Sequence, residues 1–125
     1  MYDRKEYGEM VLKERTSLRD LIEKGEKHYR DRIKFCIDRA RRVVAADSSF
    51  HIEMEYELYD DGSNPTDIFG GDIVIDDLDT LKNHIVWEAH PNIEQNRLLG
   101  IGYGRPLTNE IIIEELKDIL TEWIY

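Results

Sequence analysis

The sequence holds little that announces a function. Its one cysteine, Cys36, has no partner within the chain, so no internal disulfide can form and the reducing cytosol is the expected home. No apolar run approaches the ~18 residues of a membrane-spanning helix. Met1 to Met10 is charged and lacks the apolar core and small-residue cleavage site of a secretory signal. A soluble, cytoplasmic protein with no membrane partner is expected. Repeats, linkers and low-complexity tracts are missing, which leaves a single domain over 1–125. Gly100, Gly102 and Gly104 recur at every second position, but they match neither G-x-G-x-x-G nor a P-loop. No diagnostic catalytic signature is present, and the sequence leaves open whether the protein is an enzyme.

What is present is charge. Of 125 residues 35% are charged and 41% hydrophobic, a globular composition with enough chain for one core. The net charge of −10 divides unevenly: 1–46 carries 13 Lys+Arg against 9 Asp+Glu, or +4, which leaves −14 for 47–125. Internal complementarity explains this most simply. The sharper reading makes Lys27, Arg30, Arg32, Lys34, Arg39, Arg41 and Arg42 an anion footprint. Asp31 and Asp38 interrupt that run and the overall acidity repels a polyanion, so nucleic acid is not an expected partner.

Hydropathy patterning predicts an α+β domain. Thr16 or Ser17, the latter with Asp20 three residues on, predicts a helix start, and Lys24-Gly25 its stop. Tyr29, Ile33, Cys36, Ile37, Ala40, Val43 and Val44 recur at helical steps and predict a second helix from Lys27 to Ala46, with Cys36 a buried structural thiol on its stripe. From Phe50 to Asp61, Phe50, Ile52, Met54, Tyr56 and Leu58 alternate strictly with His51, Glu53, Glu55, Glu57 and Tyr59, which predicts a half-buried strand. The turn formers Asp60 to Asp67 lead to a second strand, Ile68 to Asp76, whose Gly70-Gly71 pair suggests a bulge or a close approach to the backbone. A third strand carries Ile85, Trp87 and Ala89. The last helix starts near Thr108 or Asn109, with Leu107 stapling onto Ile112. The predicted fold is N-terminal helices, a three-stranded antiparallel meander with a fourth edge strand open at Met10 to Leu12, and a C-terminal helix, all helices on one sheet face.

On that layout the other face is acidic. Turns centred near Ser63-Asn64 and Thr80 set Glu55 opposite Asp72 and Asp72 opposite Glu88, with His51, His84 and His90 on the same face and Arg97 in the following loop. Like charges directly opposite are destabilising, so the row needs water, a cation or raised carboxyl pKa values. Three accounts stay open: a solvated face; a surface for a protein partner or homo-oligomer; and a divalent-cation or acid/base site. In the last, Glu53, Glu55 and Asp72 hold the ion, His51 or His90 moves protons, Arg97 steadies an anionic substrate, and Glu88 and Asn96 add binding contacts. The favoured expectation is a non-catalytic binding or assembly module; the alternative is a small metal-dependent hydrolase-like enzyme.

Ile33-Lys34-Phe35-Cys36-Ile37-Asp38, His51-x-Glu53-x-Glu55, Asp61-Gly62-Ser63-x-x-Asp67-Ile68-Phe69-Gly70 and Asn96-Arg97 resemble a family of small, functionally uncharacterised prokaryotic proteins. That family's pattern runs Val-Lys-x-x-x-Asp, His-x-Asp-x-Glu, Asp-Gly-Ser-x-x-Asp-Leu-Trp-Gly and Gly-Asn-Arg. Phe69 stands in place of its Trp, Asp72 in place of its Asn, and Gln95 in place of the Gly before Asn-Arg. The resemblance implies a shared small α+β fold and no reaction, and it points to His51, Glu53, Glu55, Asn96 and Arg97.

Overall fold

The computed structural model describes residues 10–24, 31–47, 51–88 and 108–125. Phe50, Ala89, His90, Asn96, Arg97, the spaced glycines and Leu107 lie outside them. The elements are α1 (Leu18–Lys24), β1 (Arg32–Asp38), β2 (Val43–Asp47), α2 (His51–Asp60), a short 3-10 turn (Pro65–Asp67), β3 (Ile68–Asp77), β4 (Lys82–Glu88) and α3 (Glu110–Trp123). The strands form one antiparallel sheet in the order β2-β1-β3-β4.

The α+β class and the two later strands follow the sequence reading, and so do the terminal caps. Ser17 Oγ accepts the Asp20 amide at 3.1 Å, and Asn109 Oδ1 accepts the amides of Ile111 and Ile112. Both satisfy helix-start donors that would otherwise lack partners. Two expected elements are exchanged. Over its described part, 31–46, the stretch expected as a helix from Lys27 to Ala46 is instead the β1–β2 hairpin. As a central strand β1 is buried on both faces, Ile33, Phe35 and Ile37 on one and Cys36 and Asp38 on the other. A strand covered on both sides loses its period of two, and a short buried run then reads as either element. Its turn carries no Gly or Pro. Instead Asp38 Oδ1 accepts the Arg41 amide at 3.0 Å, and Arg42 takes φ 56.

The predicted strand Phe50 to Asp61 is the helix α2 over its described part, His51–Asp60. Alternation every second residue also contains every i, i+4 pair, and Met54 and Leu58 are such a pair, both fully buried against Cys36, Ala45 and Ile68. Tyr56, which a strand would bury with them, is 46% exposed. Gly62, at φ +106, ends the helix: its amide reaches the Tyr59 carbonyl at 3.1 Å and the Ser63 amide the Leu58 carbonyl at 2.9 Å. A left-handed residue after the last turn favours glycine because it has no Cβ. A buried glutamate of α2 completes the packing. Glu57 accepts the amides of Met10 and Val11 at 2.8 and 3.0 Å, and that segment in turn pairs with the outer edge of β2 through Leu12 to Val44 and Met10 to Ala46.

Helices therefore cover both sheet faces, not one. α1 and α3 pack on the face of Phe35, Phe69, Ile73 and Trp87, while α2 covers Cys36, Ala45 and Ile68 on the other. The Gly70-Gly71 pair holds no bulge; the register irregularity lies between Ile75 and Asp77. The close approach it suggested is real. Gly71 stands between Phe35 and Trp87 in the sheet, whose rings meet edge-to-face at 5.5 Å.

The basic run of the first half is largely internal. Arg32 and Lys34 pair with Asp72, Arg39 with Glu115, Arg41 with Asp61 and the Ser63 hydroxyl, and Arg42 with Glu122. Asp61-Gly62-Ser63 is thus a helix stop that the β1–β2 turn grips through Arg41. The guanidiniums of Arg41 and Arg39 hold the carboxyls of Asp61 and Glu115 below their ordinary range. Lys27 and Arg30 lie outside the described residues.

Candidate functional site: an imidazole between two carboxylates

Alternation along β1, β3 and β4 sends Arg32, Lys34, Asp72, Val86 and Glu88 to the α2 side of the sheet. Lys34 stands opposite Asp72, and Asp72 opposite Val86. Glu88 stands opposite Gly70, so the two carboxylates are diagonal rather than directly paired. The expected facing pair Asp72–Glu88 is displaced by two positions, Asp72 facing Val86, in a β3–β4 ladder whose register shifts between Ile75 and Asp77, inside β3. An even shift keeps both groups on one face.

His51, the first residue of α2, closes the diagonal. Its Nε2 lies 2.9 Å from the Gly71 carbonyl oxygen. A carbonyl only accepts, so Nε2 carries the hydrogen and Nδ1 is left for another role. Glu88 Oε2 is 3.6 Å from Nδ1, and Asp72 Oδ1 is 3.3 Å from Nε2. Arg32 Nη1 donates to Asp72 Oδ2 at 3.0 Å, and Lys34 Nζ stands 3.8 Å from Oδ1. The buried Asp72 Oδ1 has no hydrogen bond, because the one Nε2 hydrogen is directed at Gly71. One donor atom each from His51, Asp72 and Glu88 lies within 4.8 Å of the others.

The electrostatics follow from this geometry. Burial is the largest influence on His51 and opposes its charge, but Asp72, the Gly71 carbonyl and Glu88 together outweigh it and raise its pKa. Burial likewise opposes charge on Asp72, and His51, Lys34 and Arg32 together outweigh it and hold the carboxyl low. Glu55, one turn beyond His51, is buried and raised, partly offset by the Tyr59 hydroxyl that donates to it at 3.1 Å and by His51. The Tyr59 hydroxyl is raised by burial and by Glu55. Below them the Cys36 thiol, pushed well up by burial and then by Glu55, Glu88 and Asp72, contacts the His51 carbonyl at 3.7 Å. A protonated thiol is a poor nucleophile.

A group whose pKa rises on folding stabilises the fold below its unfolded value, about 6.5 for histidine, and that contribution disappears as pH rises through the folded value. The metal-free protein is therefore expected to unfold at higher denaturant concentration at pH 6 than at pH 8.5, with His51→Gln removing most of the difference. Urea titrations at the two pH values check this.

Of the residues the sequence singled out, the structure brings together His51, Asp72 and Glu88. Glu55 lies beside them on Tyr59. Glu53 is half-buried on α2 and outside the trio. His84 pairs instead with Asp76 at 2.9 Å. His90, Asn96 and Arg97 lie outside the described residues. Sequence reasoning missed Arg32 and Lys34 as partners of Asp72, and so took for an uncompensated acidic face what is a charge-paired layer. Both had a signal in the basic run, whose simplest reading was internal complementarity, and Lys34 also falls in the Lys-x-x-x-Asp stretch; neither signal named Asp72.

A family model described as a protein of unknown function, DUF5674, matches residues 10–121. No curated protein and no solved structure matches the chain.

Proposed function

We propose that this chain, which belongs to the DUF5674 family of proteins of unknown function, is a binding module whose ligand is a divalent transition-metal ion held by His51, Asp72 and Glu88. The observation that carries the reading is the orientation of the imidazole. Metal-binding histidines commonly give their second ring N–H to a backbone carbonyl or carboxylate, which fixes the tautomer. His51 does this toward Gly71 at 2.9 Å and turns Nδ1 to Glu88. The second support is Asp72 Oδ1, buried without a hydrogen bond although its partner oxygen is held by Arg32. One imidazole and two carboxylates suit Zn²⁺ or Mn²⁺ better than Ca²⁺, which prefers six to eight oxygens.

A thermal-shift series on chelator-stripped protein tests this. Zn²⁺ or Mn²⁺ at about 100 times its dissociation constant should add roughly 2.7 kcal/mol, Ca²⁺ and Mg²⁺ far less. Glu88→Gln should abolish the response while leaving the fold intact, because Glu88 is only half-buried. Equal stabilisation of Glu88→Gln by the same ion would remove the reading.

Glu55 favours a hydrolase-like role as the second reading. Its carboxyl is held above its ordinary range by burial, a condition that suits a general acid, and it lies one turn from His51.

A further inference from the structure

The two edges of the sheet are treated differently. β2 is covered by the Met10–Leu12 segment, which exchanges backbone hydrogen bonds with Val44 and Ala46. The outer edge of β4 has no neighbouring strand among the described residues. Its seven residues include a β-branched pair, Ile85 and Val86, with Val86 44% exposed. An edge of this length with apolar side chains is a template for another strand.

The charges along β4 specify which strand fits. Its sequence is Lys-Asn-His-Ile-Val-Trp-Glu, with opposite charges at its two ends and an apolar centre. We propose that β4 pairs antiparallel with β4 of a second copy, about a two-fold axis through Ile85, to make one continuous sheet across a homodimer. That register sets Lys82 opposite the partner's Glu88 twice, Ile85 opposite the partner's Ile85, and Asn83 opposite the partner's Trp87. Opposed residues of an antiparallel pair share a face, so both Lys–Glu pairs lie on the α2 side. Such isologous pairing is closed and adds no further free edge. On the α3 side, a groove of about 540 Å³ lined by Asn83, His84, Ile85, Trp87, Ile113 and Lys117 runs along β4. The partner's Ile85 and Asn83 flank it across the axis, which covers apolar surface left open in one copy. Glu88 is shared with the proposed metal site, whereas Lys82 takes no part in the trio, so Lys82→Glu tests association with the three proposed ligands left in place.

Sedimentation equilibrium of the full chain tests it, with Lys82→Glu, Ile85→Cys and Val86→Cys variants. The expected result is a dimer that weakens with salt, a dissociation constant raised about tenfold or more by Lys82→Glu through like charges placed opposite, and an oxidised cross-link in Ile85→Cys but not in Val86→Cys. The opposed Cα atoms of such a pair, about 4.5 to 5.5 Å apart, lie within disulfide reach. A wild-type monomer at high concentration, a dimer indifferent to Lys82→Glu, or preferential cross-linking of Val86→Cys would each overturn the proposal. Lys82 is exposed, so its replacement tests association and not folding.

Discussion

Gly71→Ala is expected to destabilise the protein by about 3 kcal/mol, at the upper end for overpacking a core. A Cβ at this position would lie 2.6 Å from Phe35 Cζ and 2.8 Å from the Val86 carbonyl oxygen. The first contact can yield only by moving a fully buried ring out of its edge-to-face packing with Trp87. The second is to backbone of the adjacent strand, which cannot yield without opening the β3–β4 ladder. Phe35→Leu in the same chain should recover part of the loss, since it removes the ring but leaves the carbonyl contact. Chemical denaturation of the single and double variants measures both. A Gly71→Ala protein within 1 kcal/mol of wild type would mean that these strands are not packed as described.

The second large effect belongs to Asp72. Removing one partner of a buried ion pair leaves the other charges uncompensated and costs about 3–5 kcal/mol when all are buried. Here Arg32 is 38% exposed and can turn to water, while Lys34 at 17% and His51 at 14% are more confined. Asp72→Ala is therefore expected to cost about 2 kcal/mol near pH 6, after discounting for the screened arginine. The pH dependence gives a second readout. A carboxyl whose folded pKa is lowered stabilises the fold above its unfolded value, about 3.9, and that contribution is lost as pH falls through the folded value. Wild type should lose stability through this acid range more steeply than Asp72→Ala. Equal acid slopes would show that Asp72 is not held by cations in the folded state.

The legible parts of the fold were those with local chemical markers. Ser17 and Asn109 marked helix starts, and Ile68 to Asp76 kept its alternation because only part of its second face lies under α2. Where the reading failed, a tertiary contact had overridden the local period. β1 is buried on both sides, so Phe35, Cys36 and Ile37 form an unbroken run with no strand signature. α2 alternates because two of its polar positions, Glu55 and Glu57, are buried to meet Tyr59 and the amides of Met10 and Val11, partners no local pattern discloses. Gly62 was the available sign that a helix ended there. The candidate site was half legible for a related reason. His51, Asp72 and Glu88 were expected on one surface, and they meet there, although His51 arrives from a helix laid over the sheet and not from a neighbouring strand. Period-two spacing and an i, i+4 row both include His51 and Glu55, so a wrong element assignment still pointed to a neighbourhood with the right residues. Arg32 and Lys34 stood out only as part of a basic run, because the helix expected over them hid that β1 lies beside β3 with Lys34 facing Asp72.

The most direct measurement is anomalous diffraction from crystals of the chelator-stripped protein soaked in Zn²⁺, with data collected on both sides of the zinc edge. The expected result is one strong peak about 2.0–2.1 Å from His51 Nδ1, in contact with carboxylate oxygens of Glu88 and Asp72, and the Gly71 carbonyl still accepting from Nε2. Zinc bound only at exposed surface groups, with His51 unliganded and still bridging the two carboxylates, would contradict the assignment and leave the cluster as an ion-paired anchor for α2.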